Sequence, residues 1–167
     1  MMKKILVTVL CLIALLTLVA CDKGGESENN KTDAPVKNVA VADIMKACEA
    51  KVSTTDWIEI KMEDIESYFT DINKDDVAEI SAKYLDIYMA DEIIIIKAKD
   101  GKADAIYNGL KSYWESRKSA FDGYLPNEFA RIDAESKIVL KKSGNYVIYS
   151  VTEKNADIEA AFTNALK

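Results

Sequence analysis

The chain has 167 residues, with 28 acidic side chains against 22 basic ones and no histidine. A protein without histidine has neither a Ser-His-Asp nor a Cys-His catalytic site, and it has no imidazole metal ligand. The net charge is −6, and Arg117 and Arg131 are the two arginines. Since no basic cluster is interleaved with aromatic residues, we do not expect nucleic acid as a partner.

The first 20 residues predict a cleaved signal peptide. Lys3 and Lys4 precede the apolar segment Ile5–Ala20, which is shorter than the roughly 20 residues that a membrane-spanning helix needs. The segment ends in Leu-Val-Ala-Cys at Cys21, which resembles a bacterial lipobox. We therefore expect a diacylglyceryl group on Cys21 and a membrane anchor on the outer face of the cytoplasmic membrane. The alternative is an ordinary signal peptide or a single anchor helix.

The remaining sequence divides into a tether and one domain. Residues 21–38 contain glycine, serine and asparagine and no large apolar residue before Val36, which is typical of a flexible linker. Residues 39–167 are long enough for one domain with its own core. Once Cys11 is removed with the signal and Cys21 is lipidated, Cys48 has no cysteine partner. Its helical spacing from Ile44 favours a buried thiol over a reactive one.

The first half of the domain is predicted to contain a helix followed by paired strands. Apolar residues at spacings of three and four indicate a helix at Val41–Lys51, and a short helix or irregular segment follows at Met62–Phe69. Two apolar alternations predict a strand at Ala78–Met89. Four consecutive isoleucines, Ile93–Ile96, predict a strand covered on both faces. We expect these two strands to form a hairpin across Ala90 and Asp91.

The second half predicts a long helix, a hairpin and a final helix. An apolar stripe from Ile106 to Tyr124, which includes Arg117, indicates a helix over residues 103–122, with Gly123 as its terminator and Pro126 just beyond. Two strands, Lys137–Lys141 and Tyr146–Val151, form the next hairpin. The predicted fold class is α+β: an antiparallel sheet of about four strands, in two hairpins, packed with three or more helices.

Several short motifs are similar to one family. They are the lipobox, the Ile44-Met45-Lys46 helix, Ala90-Asp91-Glu92-Ile93, Tyr124-Leu125-Pro126-Asn127-Glu128 and Gly144-Asn145-Tyr146-Val147. Together they resemble a family of small lipoproteins from Firmicutes-type bacteria with a domain of unknown function, over about residues 40–165. The resemblance implies a cell-surface location and supplies no catalytic residue.

No pattern in the sequence predicts a cofactor. One motif, however, resembles a metal site. Glycine-rich phosphate loops and Ser-x-x-Lys motifs are absent from the sequence. Asp71, Asn73 and Asp75 match the first three oxygen positions of a calcium loop, but Asp76 occupies the glycine position and Ala82 replaces the final glutamate. We expect a solvated turn here, with calcium binding as the alternative.

Two further groups of residues are candidate sites. Asp91 and Glu92 are adjacent carboxylates, but neighbouring strand residues point to opposite faces, so we expect them to close a hairpin turn. Among the aromatic residues, Trp57, Tyr84 and Tyr88 form a possible binding surface, with Trp57 the best candidate for an exposed contact.

Two functions remain open from the sequence. The first is a non-catalytic module that binds an unknown protein or cell-envelope component. The second is a carboxylate-based cell-surface hydrolase acting on glycan or peptide, which requires two carboxylates that converge in one pocket.

Overall fold

A computed structural model of the protein describes residues 36–135 and 138–167. The predicted signal peptide, Cys21 and most of the predicted tether lie outside the described residues. The described residues form five α-helices and five strands. The helices are α1 Val41–Glu49, α2 Ile65–Tyr68, α3 Ala103–Tyr124, α4 Pro126–Glu135 and α5 Asn155–Ala165; the strands are β1 Ile58–Ile60, β2 Val77–Tyr84, β3 Glu92–Ala98, β4 Val139–Ser143 and β5 Tyr146–Val151.

The five strands form one antiparallel sheet in the order β1-β2-β3-β5-β4. The predicted α+β class is confirmed. The sheet has one strand more than the predicted number of about four, because no strand was predicted at Ile58–Ile60, which forms β1. The isoleucine strand β3 lies at the centre, paired with β2 on one side and β5 on the other.

Both faces of β3 are covered by this chain. Ile93, Ile94, Ile95 and Ile96 are all fully buried. Strand alternation directs Ile94 and Ile96 into a core with α3 and α4, and Ile93 and Ile95 into a second core with α1 and α5. The domain is therefore a three-layer arrangement with helices on both sides of the sheet. This explains the isoleucine run, since each face needs its own apolar side chains.

The predicted hairpin between β2 and β3 is confirmed, but its turn is longer than the one predicted across Ala90 and Asp91. Strand β2 ends at Tyr84, and residues 85–91 form a loop that is closed by a hydrogen bond from Leu85 N to Asp91 O at 2.9 Å. Within the loop, the Asp86 side chain accepts a hydrogen bond from Tyr88 N at 3.0 Å. This side-chain hydrogen bond stabilises a turn in place of strand pairing. The apolar alternation over residues 85–89 therefore does not continue β2.

The expected end of the long helix is also wrong. Gly123 lies inside α3, which continues to Tyr124, and Pro126 begins α4 after a single connecting residue, Leu125. Proline is favoured at the first position of a helix because its missing N–H is not needed there. The hairpin between β4 and β5 is confirmed, with Ser143 paired to Tyr146 and a positive φ of 55° at Gly144.

Two glycines of α3 give opposite predictions for substitution by alanine. A Cβ atom on Gly109 would lie 2.5 Å from Ile72 Cγ1 and 2.9 Å from the carbonyl oxygen of Asp71. We expect Gly109→Ala to lower the free energy of unfolding by about 1–3 kcal/mol through this overlap. A Cβ atom on Gly123 meets nothing within 4 Å, so Gly123→Ala should raise it by about 0.5–1 kcal/mol. Urea denaturation of both variants checks the pair, and equal effects at the two positions would refute it.

Candidate functional site

A buried carboxylate lies where β3 begins. Glu92 is only 1% exposed, and strand alternation places it on the face of the sheet that α3 covers. Its Oε2 atom accepts a hydrogen bond from the Tyr113 hydroxyl at 2.7 Å, and its Oε1 atom accepts one from the Tyr149 hydroxyl at 2.9 Å. Because two hydroxyl groups donate to it, the carboxylate is held in place from both α3 and β5.

Arg117 of α3 provides the charge that balances Glu92. Its Nε atom lies 3.6 Å from Glu92 Oε1, is buried and makes no hydrogen bond. Its Nη2 atom donates to the carbonyl oxygen of Met89 at 3.0 Å, and its guanidinium lies over the ring of Phe121, 4.8 Å from the centroid. Arg117 therefore connects the middle of α3 to the loop of residues 85–91. Its side chain remains 21% exposed.

The pKa values of this cluster follow from its burial. Burial raises the pKa of Glu92 above its ordinary value, while Arg117 and the two tyrosine hydroxyls oppose that rise. Burial also raises the pKa values of Tyr113 and Tyr149, so both hydroxyls keep their protons and act as donors. Burial acts to lower the pKa of Arg117, but Glu92 raises it and the net shift is upward. The guanidinium thus stays charged beside the carboxylate of Glu92, which accepts hydrogen bonds from both tyrosines.

The raised pKa of Glu92 predicts a pH-dependent stability term. Between its unfolded pKa, near 4.5, and its raised folded pKa, the folded state binds more protons than the unfolded state, so this term falls as pH rises. We expect the stability of the wild type relative to Glu92→Gln to decrease as pH rises above about 4.5. Urea denaturation at a series of pH values checks the slope, with the exposed Glu66→Gln as control. A difference that increases with pH would contradict the assignment.

Two clefts meet at Arg117. The first, which we call the polar cleft, has a volume of about 420 Å³. The second, the apolar cleft, has a volume of about 320 Å³. The polar cleft is lined by Tyr68, Thr70, Asp71, Gly109, Ser112, Tyr113, Ser116, Arg117 and Ala120, and the apolar cleft by Ile87, Tyr88, Arg117, Ala120, Phe121, Tyr124 and Leu125. Arg117 and Ala120 belong to both, so the clefts are neighbours along α3.

Exposed apolar side chains are concentrated at the apolar cleft. In the part of the chain that the structure describes, five large hydrophobic residues are exposed, and Ile87, Tyr88 and Tyr124 line this one cleft. Their exposed fractions are 59%, 63% and 86%. We call these three residues, one isoleucine and two tyrosines, the aromatic patch. A contiguous exposed apolar surface next to a cleft is typical of a contact site, whereas single exposed apolar residues are ordinary.

A second charged cluster fixes the base of the loop that carries the patch. Arg131 of α4 donates to Asp91 Oδ2 at 2.6 Å and to Glu128 Oε1 at 2.6 Å. Glu128 in turn accepts a hydrogen bond from Ala90 N at 2.7 Å. Burial raises the pKa of Asp91, while the hydrogen bonds from Arg131 lower that of Glu128. Asp91 and Glu92 therefore contact different arginines, and they lie where the loop of residues 85–91 ends and β3 begins, as expected for residues that close the hairpin.

The three aromatic residues predicted to form a binding surface are not brought together. Trp57 is half-buried against the core with α1 and α5. Tyr84 is buried on the opposite face, where its hydroxyl lies 3.1 Å from that of Tyr68, and this hydrogen bond raises the pKa of Tyr84 to about 12. Tyr88 alone of the three lies in a cleft near Arg117. The sequence signal for this cleft was an arginine within the apolar stripe of α3.

The calcium candidates lie in and before a short turn, and Cys48 lies in the core. The Asn73 side chain accepts a hydrogen bond from Asp75 N at 2.8 Å and begins a single 3₁₀ turn. Among the residues that the structure describes, no three His, Cys, Asp or Glu side chains are arranged to hold a metal ion. Cys48 is fully buried, as expected, and burial raises the pKa of its thiol to about 12.

The hydrolase hypothesis requires two carboxylates in one cleft. The polar cleft is lined by one, Asp71, and the apolar cleft by none. A third depression of about 550 Å³ has Glu49 as its one carboxylate, which is paired with Lys83 and accepts a hydrogen bond from Thr54 at 2.7 Å. None of these three clefts supplies the pair that glycoside hydrolysis uses.

Comparison with known proteins identifies the family. A family model described as a domain of unknown function, DUF4358, matches residues 50–152, more than half of the chain. The chain belongs to the DUF4358 family. The matched DUF4358 region contains all five strands, both arginine clusters and the aromatic patch, whereas α1 and α5 lie outside it. Neither a search of curated proteins nor one of solved structures found a match. Within residues 36–135 and 138–167, no helix is both long and apolar enough to cross a membrane.

Proposed function

We propose that this DUF4358 protein is a lipid-anchored binding module at the outer face of the cytoplasmic membrane, and that the aromatic patch contacts its partner. The observation that carries the proposal is the clustering of Ile87, Tyr88 and Tyr124 at one cleft beside Arg117. Tyrosine and arginine are the side chains that most often dominate binding energy at protein interfaces. The arrangement offers contact area and hydrogen-bond donors without a catalytic pair.

The anchor part of the proposal is supported by the sequence. A positive start, a short apolar segment and Leu-Val-Ala-Cys before a polar stretch fit a signal peptide of residues 1–20 and a lipidated Cys21. In this proposal, residues 21–38 are a tether and residues 39–167 the binding domain, as in the Firmicutes-type lipoproteins that the motifs resemble. Two acyl chains hold a protein on a membrane far more stably than one.

Labelling with a palmitate analogue tests the anchor. Cells expressing the wild type are expected to incorporate an alkyne-labelled fatty acid into the protein, whereas Cys21→Ala should show no label and leave the membrane fraction. The full-length Cys48→Ala variant is the matched control, since its cysteine is buried in the domain. Equal labelling of wild type and Cys21→Ala would overturn the anchor.

Capture from cell envelopes tests the patch. The Tyr88→Ala, Tyr124→Ala double variant removes two exposed rings and is expected to lose at least about tenfold in the amount of partner captured, since each contact ring contributes more than 1 kcal/mol. Ile58→Ala is the matched control, because Ile58 is an exposed apolar residue of β1 outside the two clefts. Capture that falls equally in both variants, or in neither, would count against the patch.

A further inference from the structure

The polar cleft has two walls that touch at one end. One wall is α3, and the other is the end of α2 with the turn that follows it. The walls meet at Gly109, where a Cβ atom would lie 2.5 Å from Ile72 Cγ1 and 2.9 Å from the carbonyl oxygen of Asp71. A backbone hydrogen bond from Ile72 N to Phe69 O at 3.0 Å closes the turn that carries Thr70 and Asp71. The width of the cleft is therefore set by close backbone packing.

Polar groups that are free to bind a ligand line this cleft. In the part of the chain that the structure describes, the hydroxyl groups of Thr70, Ser112 and Ser116 make no side-chain hydrogen bond. Within the same described residues, the Asp71 carboxylate makes no ion pair. Arg117 also lines the cleft, and its guanidinium is partly exposed. A ligand hydroxyl group suits all of these side chains, because it both donates and accepts hydrogen bonds.

A partly exposed aromatic ring lines the same cleft. Tyr68 is 37% exposed, and its hydroxyl is already paired with that of Tyr84 at 3.1 Å. Its ring is tilted against Phe69, with the two centroids 6.3 Å apart, so both neighbours hold it in place. The free part of the ring is an apolar surface beside polar groups. The C–H groups on one face of a sugar ring pack on such a surface while the sugar hydroxyl groups make hydrogen bonds.

The charges around the cleft favour a neutral ligand. Arg117 is balanced by Glu92, whose Oε1 lies 3.6 Å from Nε, and Asp71 adds a second carboxylate. Because two carboxylates accompany one guanidinium, an anion gains little there. A cation is opposed by Arg117, which lines the cleft, whereas Glu92 is buried and does not reach a ligand. The volume of about 420 Å³ lies near the lower end of the range of about 300–1,000 Å³ for small-molecule sites, which suits one or two sugar rings.

We infer that the polar cleft binds a neutral sugar of one or two rings. The sugar ring packs on Tyr68, and its hydroxyl groups donate to Asp71 and accept from Arg117 and from the two serines that line the cleft. The cleft is lined by one carboxylate, so the sugar is bound and not cleaved. The inference goes beyond the proposed function, since the aromatic patch lines only the apolar cleft. A free sugar and a sugar unit of an envelope glycan present this same chemistry.

A panel of neutral sugars is the probe. Glucose, mannose, N-acetylglucosamine, cellobiose and chitobiose are titrated by saturation-transfer NMR against the full-length chain in phosphatidylglycerol–phosphatidylethanolamine nanodiscs, with glucuronate and glucosamine as charged controls. We expect at least one neutral sugar to bind with a dissociation constant of about 1 mM or less. Ser112→Leu fills part of the cleft and should weaken binding at least about tenfold. Ser119→Leu adds the same side chain at an exposed position of α3 that lines neither cleft, and binding should stay within about twofold of wild type.

The outcomes test both the site and the class of ligand. Binding of a neutral sugar that is lost in Ser112→Leu and kept in Ser119→Leu supports the inference. Competition by soluble glycan fragments released from cell envelopes supports it too and identifies the glycan as the source, whereas binding without such competition identifies a free sugar. No binding by any neutral sugar beyond that to empty nanodiscs, equal binding by the two leucine variants, or tighter binding of a charged control overturns it.

Two further variants keep the test independent of folding and of the aromatic patch. If Ser112→Leu fails to fold, Asp71→Ala, at an exposed position, replaces it with the same expected loss, since hydrogen bonds to charged groups are the stronger ones. The Tyr88→Ala, Tyr124→Ala double variant should bind the sugar as the wild type does. Absence of sugar binding alongside patch-dependent capture from envelopes would overturn the sugar site and leave the proposed function standing.

Discussion

Arg117→Met is expected to lower the free energy of unfolding by about 3–5 kcal/mol. Removing one member of a buried ion pair leaves the other charge buried without compensation, and this costs far more than the pair itself contributes. Here the stranded group is Glu92, which is 1% exposed. The variant also leaves the carbonyl oxygen of Met89 without its donor. Urea denaturation at pH 7 measures the loss.

The double variant Glu92→Gln, Arg117→Met is the control for this prediction. An uncharged glutamine needs no counter-charge, its amide oxygen accepts from one tyrosine hydroxyl and its NH2 group donates to the other, so part of the loss should be recovered. We expect a coupling free energy of about 1–3 kcal/mol between the two positions, within the range for residues in contact. A cost of Arg117→Met below about 1 kcal/mol, or additive effects of the two substitutions, would refute the buried ion pair.

Ile94→Ala and Ile95→Ala are expected to lower the free energy of unfolding by about 2–5 kcal/mol each. The two side chains are fully buried in different cores, one with α3 and α4 and the other with α1 and α5. Truncating a buried isoleucine loses its transfer free energy and leaves a cavity. Similar losses at two neighbouring positions are expected only if the chain covers both faces of β3.

Ile58→Ala is the control for the isoleucine pair. Ile58 is 48% exposed on the edge strand β1, so its truncation should change the free energy of unfolding by no more than about 0.5 kcal/mol. Denaturation of all three variants under the same conditions gives the comparison. A cost at Ile95 as small as that at Ile58 would mean that the face with α1 and α5 is not packed as described.

The part of the sheet that was best predicted from the sequence is β3, where the run of isoleucines is a strong strand signal. Four isoleucines in a row need apolar surroundings on both sides, and β3 is the central strand. The turn at Gly144-Asn145 was equally predictable, because a positive φ favours glycine. The loop of residues 85–91 was not, since its apolar alternation imitates a strand. Its actual course depends on contacts between Ala90 and Glu128 and between Asp91 and Arg131, which are far apart in the sequence.

The candidate site was less predictable than the fold for the same reason. Arg117 is a charged residue in the apolar stripe of α3, but it was not predicted as a site residue, and its partner Glu92 is 25 residues away and belongs to another element. Tyr88 was predicted as a contact residue without Tyr124, because the two meet only when the loop packs beside the end of α3. Trp57 was expected to be exposed because its neighbours in the sequence are polar. It is half-buried because it packs against the core with α1 and α5, which the local sequence does not indicate.

In the proposed function, the aromatic patch is the contact surface of the domain. The buried Glu92–Arg117 pair gives the patch a rigid base, because it links β3, α3 and the loop that carries Tyr88. Rigid contact residues lose less conformational entropy on binding, which favours affinity. These contacts support the proposed binding role of the aromatic patch.

Photo-crosslinking in living cells is the measurement that tests this account most directly. A benzophenone amino acid is placed at position 124, in the aromatic patch, or at position 58, an exposed apolar position on β1. We predict that irradiation yields a discrete protein adduct from position 124 and none from position 58. Adducts of equal yield at both positions, or adducts at position 124 with membrane lipid alone, would contradict the account.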